Sequence, residues 1–490
     1  MIVVMNLLYK GYKKHKFGRD KMKKFPENFL WGAAMSAPQT EGHSLRHGKS
    51  ASTWDYWFEK APEKFHALQG PAETSNIYEF YAEDCARMKD IGLNSIRTSI
   101  AWTRLLPDGK TINEEAVTFY RSYFQAMHDN GVQPIINLFH FDMPMWLMDK
   151  GGFETRASVD AFAFYAKTAF ELFGDLVTKW TTFNEPIVHV ECGYLYQYHY
   201  PAMIDFKKAI QVGYNTLMAH VKAVAALRAV QPNGEIGILL NVSPAYARSD
   251  SVEDLQAKED YELLNIKSFM DPVIKGEIPQ KLIDLLRKHE LLPATHSGDM
   301  VLIRDYCVDF IGLNYYQPRR VQAPYKPSVT VQMPEDLYEP YDWPDKRINP
   351  YRQWEIFPAA LFDVAIIMRD EYNNIPWFVS ENGMGVADEE RFIGPEGMVE
   401  DDYRIQFMQE HLLYLHKAIA AGSNCFGYHT WTFLDCWSWL NGYRNRYGFY
   451  RVDLTNHFAR KLKKSGLWFK TVTEQNGFVP TNVSENDRTF

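Results

Sequence analysis

Cysteine is scarce in this chain, and the five present, Cys85, Cys192, Cys307, Cys425 and Cys436, form no CxxC pair. That scatter supplies neither a zinc ribbon nor a disulfide framework, and it suits a reducing cytoplasm. Long hydrophobic runs are missing as well, and nothing approaches the roughly 20 consecutive apolar residues of a spanning helix. The apolar opening at 1–9 has its positive charge after it and no small-residue cleavage site, so it does not read as a secretory signal. Positive charge is not in excess: 53 Lys plus Arg stand against 61 Asp plus Glu, for a net charge of −8. A general nucleic-acid binder is excluded by that balance. No GxxxxGK[ST] loop occurs, and the pair Gly383 and Gly385 lacks the third glycine of a dinucleotide fingerprint. HExxH and GxSxG are also absent, leaving no motif for a metal, an organic cofactor or a serine nucleophile elbow.

What is present is a globular composition, 46% hydrophobic and 23% charged over 490 residues. Short apolar and β-branched runs alternate with helical periodicities, the pattern of parallel strands joined by crossover helices. The strands are expected at 29–36, 94–100, 133–139, 178–184, 235–241, 308–314, 375–380 and 425–431. Eight such units close a barrel, so the fold class is α/β, a single (β/α)8 barrel. Helical faces are expected at 112–130, 157–173, 206–231, 355–373 and 402–421, the first with apolar residues from Val117 to Met127 on one side and a stop at Asn130-Gly131. Residues 1–21 read as an N-terminal extension, 22–475 as the barrel and 476–490 as a C-terminal tail. Long irregular pieces at 41–75, 187–205, 315–354 and 432–450 follow strands, where barrel loops build a mouth. The piece 315–354 alone holds seven prolines, from Pro318 to Pro350.

Two strand ends carry an amide and a carboxyl side by side: Asn184-Glu185 after the fourth strand and Glu381-Asn382 after the seventh. In a parallel barrel all strand C-termini open on one side, so Glu185 and Glu381 can face one pocket. Either could merely cap a strand. Two together are the equipment of glycoside hydrolysis, one carboxyl kept protonated and one ionised. The segments TFNEP (182–186) and SENG (380–383), with Phe29–Gly42 near the start, resemble glycoside hydrolase family 1 in the same order along the chain, from about Phe25 to Val472. That resemblance implies a single (β/α)8 barrel with retaining chemistry, Glu185 as general acid/base and Glu381 as nucleophile, a pair about 5–5.5 Å apart. It further implies Arg97 and Tyr316 as groups that orient the nucleophile. Asn314 would stand near them as a further substrate-binding residue, and Asn184 would bond the sugar 2-hydroxyl. Gln39, His140 and Trp431 would hold the −1 sugar.

The segment after the eighth strand departs from family members that act on unmodified sugars. These usually carry a glutamate where Ser438 stands and a phenylalanine where Tyr447 stands, whereas members cleaving 6-phosphoglycosides have the serine and the tyrosine. A carboxylate about 4 Å from a phosphate is opposed by roughly 4 kcal/mol at an effective dielectric of 20, while hydroxyls donate to it. The lysine such enzymes use is here Asn445, expected in the substrate-binding wall at that place, with Arg444 and Arg446 on either side as substitutes for the cation. Trp439 resembles the 6-phosphogalactosidase variant, so gluco and galacto both stay open. The expected activity is retaining hydrolysis of a 6-phospho-β-glycoside, a small-molecule substrate that arises when a sugar is phosphorylated during import. The rivals are a hydrolase of unphosphorylated β-glucosides or β-galactosides, a transglycosidase, and a non-catalytic sugar-binding barrel that would have lost one carboxylate.

Overall fold

The eight β-rich segments form one closed parallel barrel in the computed structural model, which describes residues 21–72, 74–326, 328 and 330–481. Its strands are β1 (Leu30–Ala34), β2 (Ser95–Ser99), β3 (Gln133–Phe139), β4 (Lys179–Asn184), β5 (Glu235–Asn241), β6 (Phe310–Asn314), β7 (Trp377–Glu381) and β8 (Cys425–Trp431). They pair in chain order, and β8 returns to β1 through Gly427↔Leu30 to Trp431↔Ala34. Both faces of such a sheet are covered, which is why the strands read as near-continuous apolar runs. The expected limits hold to within two residues, and one of the small differences is informative. Strand β7 continues through Glu381, which pairs with Asn314 of β6 across a register irregularity.

The lower barrel is plugged by Ile135, Leu239, Phe310 and Phe378, with Leu30 and Phe426 against them. Above this layer the interior turns polar. Gly32 of β1 permits the change, because a Cβ there would stand 2.3 Å from the His429 ring and 2.8 Å from the Ser95 carbonyl. His429 Nε2 meets Ser95 Oγ at 3.0 Å in that space.

The surrounding helices follow the expected faces: Glu114–Asp129, Ala157–Phe173, Phe206–Val230, Ala359–Glu371 and Asp402–Ala420. Asn113 and Asp205 cap the first and third of these, accepting from the N–H groups of Glu115 and Lys208. The base is closed by Lys23–Lys24, paired antiparallel with Gly477–Phe478. Trp31 Nε1 donates to Asn476 Oδ1 at 2.8 Å beside it. The tail expected from residue 476 therefore begins as a strand, and the folded part runs at least to Phe478. The extension expected at 1–21 lies, but for Lys21, outside the described residues. No helix among the described residues is long and apolar enough to cross a membrane.

The piece 315–354 is not structureless. Arg319–Gln322 joins Glu339–Pro340 antiparallel and Ala245–Ala247 parallel, and Ile348–Asn349 folds back on Trp354–Glu355. The loops after β7 and β8 are tied by a buried ionic network. Lys463 Nζ donates to Glu389 Oε2 at 2.5 Å and Asp435 Oδ1 at 2.8 Å, and Arg404 bridges Glu389 and Asp401. Burial by itself would raise the Glu389 carboxyl, but Lys463 and Arg404 beside it bring it down to about 2.

Removing one partner from such a network leaves uncompensated buried charge, so Lys463→Met is expected to lose about 3–5 kcal/mol near neutral pH. A depressed carboxyl stabilises the fold above its unfolded value of 4.5 and stops doing so as pH falls toward about 2. The gap between wild type and variant in urea midpoint should therefore narrow on going from about pH 6 to about pH 3. A constant gap would show that the network is not what Glu389 contributes.

Candidate active site

Glu185 follows the last residue of β4 and takes left-handed backbone angles, φ 47° and ψ 59°, before Pro186 opens the helix Pro186–Tyr194. Proline suits the first helical turn because its missing N–H would be unpaired there. The left-handed residue disfavours any side chain with a Cβ, and here it turns the carboxyl from the strand line into the mouth. Glu185 N–H donates to the Leu239 carbonyl at 2.8 Å, which fixes that turn to β5. Glu381, at the end of β7, lies across the mouth, buried like Glu185's carboxyl end.

Glu381 is held from two sides. A guanidinium nitrogen of Arg97 on β2 donates to Oε1, and the Tyr316 hydroxyl donates to Oε2 at 2.6 Å. Arg97 is fully buried, and its other terminal nitrogen donates to the Met35 carbonyl at 3.0 Å and faces His140 Nδ1 at 3.4 Å. Burial lowers this guanidinium to about 10, so it keeps its proton at neutral pH. Such charge-assisted bonds favour the ionised carboxylate.

Glu185 has the opposite surroundings. Burial raises its carboxyl, and the amide of Asn314, which donates to Oε1 at 2.9 Å, together with the charge of Arg97 draws it only part of the way back. His140 is pushed well below its usual value by burial and then by Arg97, so its imidazole is neutral. It stacks parallel to Trp431, ring centres 6.0 Å apart, with Asn184 at 3.4 Å from its Nε2.

These groups open on a cavity of about 660 Å³. Gln39, His140, Asn184, Tyr316 and Trp431 line it with both glutamates, as do Ser438, Trp439 and Tyr447 of the loop after β8. Gln39 is anchored at both ends of its amide, accepting from Ser36 Oγ at 2.8 Å and donating to the Trp437 carbonyl at 2.9 Å. One N–H and one lone pair remain for a ligand. Two expectations need correction. Asn314 is not on the wall: its amide donates to Asn184 and Glu185 and accepts from Ser380, so its bonding capacity is consumed behind the carboxyls. Asn445 is not on the wall either. Its backbone pairs with Ala387, and its side chain is buried with Nδ2 unpartnered. The neighbouring arginines do not replace it, since Arg444 is exposed and Arg446 lies 4.7 Å over the Tyr443 ring and 3.9 Å from Asp435.

The wall also holds residues that the sequence did not single out, among them Glu191, His199, Arg352 and Trp354. Burial raises Glu191 to about 7, with Arg319 opposing. A second hollow of about 390 Å³ adjoins it and shares Glu191, Tyr196, Gln317 and Arg319. The only signal for these positions was their place in the two long loops 187–205 and 315–354.

Cleavage of a glycosidic bond asks for a proton on one side of the sugar and a negative charge on the other, and this barrel, which gathers two carboxyls of unlike surroundings at one mouth, is a glycoside hydrolase. The model for glycosyl hydrolase family 1 matches residues 21–478, and the chain belongs to that family. It is 48% identical over 458 residues to 6-phospho-beta-glucosidase GmuD of Bacillus subtilis, covering 93% of this chain and 98% of that one. It is 34% identical over 455 residues to beta-glucosidase A of Acetivibrio thermocellus, at 93% and 99% coverage. The solved family 1 β-glucosidase of Thermotoga maritima superposes with a TM-score of 0.86 at 32% identity, over 93% of this chain and 99% of that one.

Truncating Glu381 to alanine strands the buried Arg97 charge and is expected to cost about 3–5 kcal/mol. Glu185→Gln removes a carboxyl that burial already disfavours, so it should cost far less. Urea denaturation of both variants checks this, and equal midpoints would mean that Arg97 is not balanced by Glu381.

Proposed function

We propose that the protein hydrolyses 6-phospho-β-glucosides with retention of configuration. The carrying observation is the loop after β8, which faces the cavity with the hydroxyls of Ser438 and Tyr447 and no carboxylate. Neither hydroxyl is bonded to another described residue, so both are free to donate to phosphate oxygens. The name of the 48%-identical relative supports the same substrate class. A cytoplasmic location accords with a sugar phosphorylated on entry and with five free cysteines.

The reaction runs in two steps. Glu381 attacks the anomeric carbon while Glu185, whose protonated form burial favours, gives its proton to the leaving oxygen. Glu185, now ionised, then takes a proton from water, which attacks the glycosyl ester and releases Glu381. Asn184 bonds the 2-hydroxyl, where contacts strengthen in the transition state, and Gln39, His140 and Trp431 hold the ring. Arg97, Tyr316 and Asn314 act through the two carboxyls.

Paired assays with p-nitrophenyl β-glucoside and its 6-phosphate, and with the galactose pair, test the substrate. The phosphorylated glucoside should have the highest kcat/KM, and proton NMR should detect the β-anomer as the first product. Equal rates on unmodified glucoside would favour the unphosphorylated reading, which the neutral Asn445 supports. Asn314→Ala removes a donor that lowers Glu185, so the alkaline limb of kcat/KM should move up by about half to one pH unit. An unmoved limb would detach Asn314 from Glu185 titration.

A further inference from the structure

The loop after β8 brings hydroxyls to the cavity but no cation. Asn445 is neutral and off the wall, Arg444 is exposed, and Arg446 is engaged with Tyr443 and Asp435. A phosphate dianion in that corner would need a positive partner.

One cation of the cavity wall has no counter-charge. Arg352 lies 4.4 Å over the Trp354 ring, and its side chain forms no ion pair or hydrogen bond among the described residues, its Nε being buried and unpartnered. Arg319, the other arginine on the wall, already interacts with Tyr261 and Glu191. The position of Arg352 is set by the hairpin of Ile348–Asn349 and Trp354–Glu355. Asn349 Nδ2 donates to the Gly385 carbonyl at 2.9 Å. A Cβ on Gly385 would stand 2.5 Å from the Tyr447 hydroxyl, so the hairpin and that hydroxyl meet at one point of the β7 loop. The charge of Arg352 is felt there, since it opposes the upward push of burial on Tyr447. On the inner side, Trp354 packs 5.3 Å from Tyr316, the donor to Glu381. Arg352 therefore stands one aromatic layer beyond the reacting centre, beside Tyr447.

We propose that Arg352 is the phosphate-binding cation of this site, gripping the 6-phosphate together with the hydroxyls of Ser438 and Tyr447 from a different loop than the missing lysine. The assignment rests on the 6-phosphoglycoside reading above. It makes Arg352 a specificity residue: its guanidinium meets the phosphate and has no part in bond cleavage.

The test is the ratio of kcat/KM for p-nitrophenyl β-glucoside 6-phosphate to that for the unphosphorylated glucoside, measured on the full chain. Arg352→Gln should lower this ratio by about 10- to 100-fold, mainly through KM, as expected for one lost hydrogen-bonded charge. Arg352→Lys should restore part of it, and Arg444→Gln should leave it at the wild-type value. Inorganic phosphate should compete with the phosphorylated substrate in wild type and lose that effect in Arg352→Gln. A ratio within about twofold of wild type for Arg352→Gln would overturn the assignment, as would an equal loss on both substrates. If wild type itself shows no preference for the 6-phosphate, the substrate reading falls and takes the Arg352 assignment with it, an outcome visible before any variant is made.

Discussion

A guanidinium sealed inside the barrel, with no water to solvate it, has to be satisfied by the groups around it. The two terminal nitrogens of Arg97 meet this condition with the Met35 carbonyl, the Nδ1 of His140 and the carboxylate of Glu381, while its Nε stays unpartnered. The rest of the mouth follows from that one requirement. It demands a neutral His140, which burial and Arg97 itself secure. It demands an anion at the end of β7, and so places that charge on the wall of the cavity. It also leaves the fourth strand free to hold a carboxyl of opposite character, because Arg97 bonds Glu381 directly and reaches Glu185 only through its charge.

The division of labour between scaffold and loops has a physical basis. Strand-borne groups such as Arg97, Asn184 and Asn314 are fixed by the barrel register around the two glutamates. The loops after β6 and β8 bring Arg352, Trp354, Ser438 and Tyr447 to the cavity wall. Loops are ordinarily mobile, yet the loop after β8 is restrained by the network of Lys463, Asp435, Glu389 and Arg404 behind it, and the loop after β6 by its own short hairpin at Ile348–Glu355. A site built on such loops approaches the rigidity of one built on strands.

Much of this was legible in the chain. Strand limits could be read because buried parallel strands are apolar throughout and helices repeat at another period. The two glutamates could be read because each closes such a run beside an amide. The full engagement of Asn314 could not, since its three partners come from residues 184, 185 and 380 and meet only when the barrel closes. Asn445 looked like a ligand by its place in the loop, but its backbone pairing with Ala387 buries it. Arg352 sits in a proline-rich stretch that gives no periodic signal, and its importance comes from its neighbours in space rather than in sequence.

The closure of the barrel also bears on how the protein is made. Strand β1 needs β8 on one side, and the two are almost four hundred residues apart along the chain. While the ribosome is still working through the later units, β1 and the newest strand present bare edges whose N–H and C=O groups are unpaired, a template for pairing with another nascent chain. The ring, which abolishes edges once complete, therefore concentrates the risk of misassembly into the interval before Cys425–Trp431 emerges. Folding of this enzyme is a race between that last strand and the neighbours in its polysome.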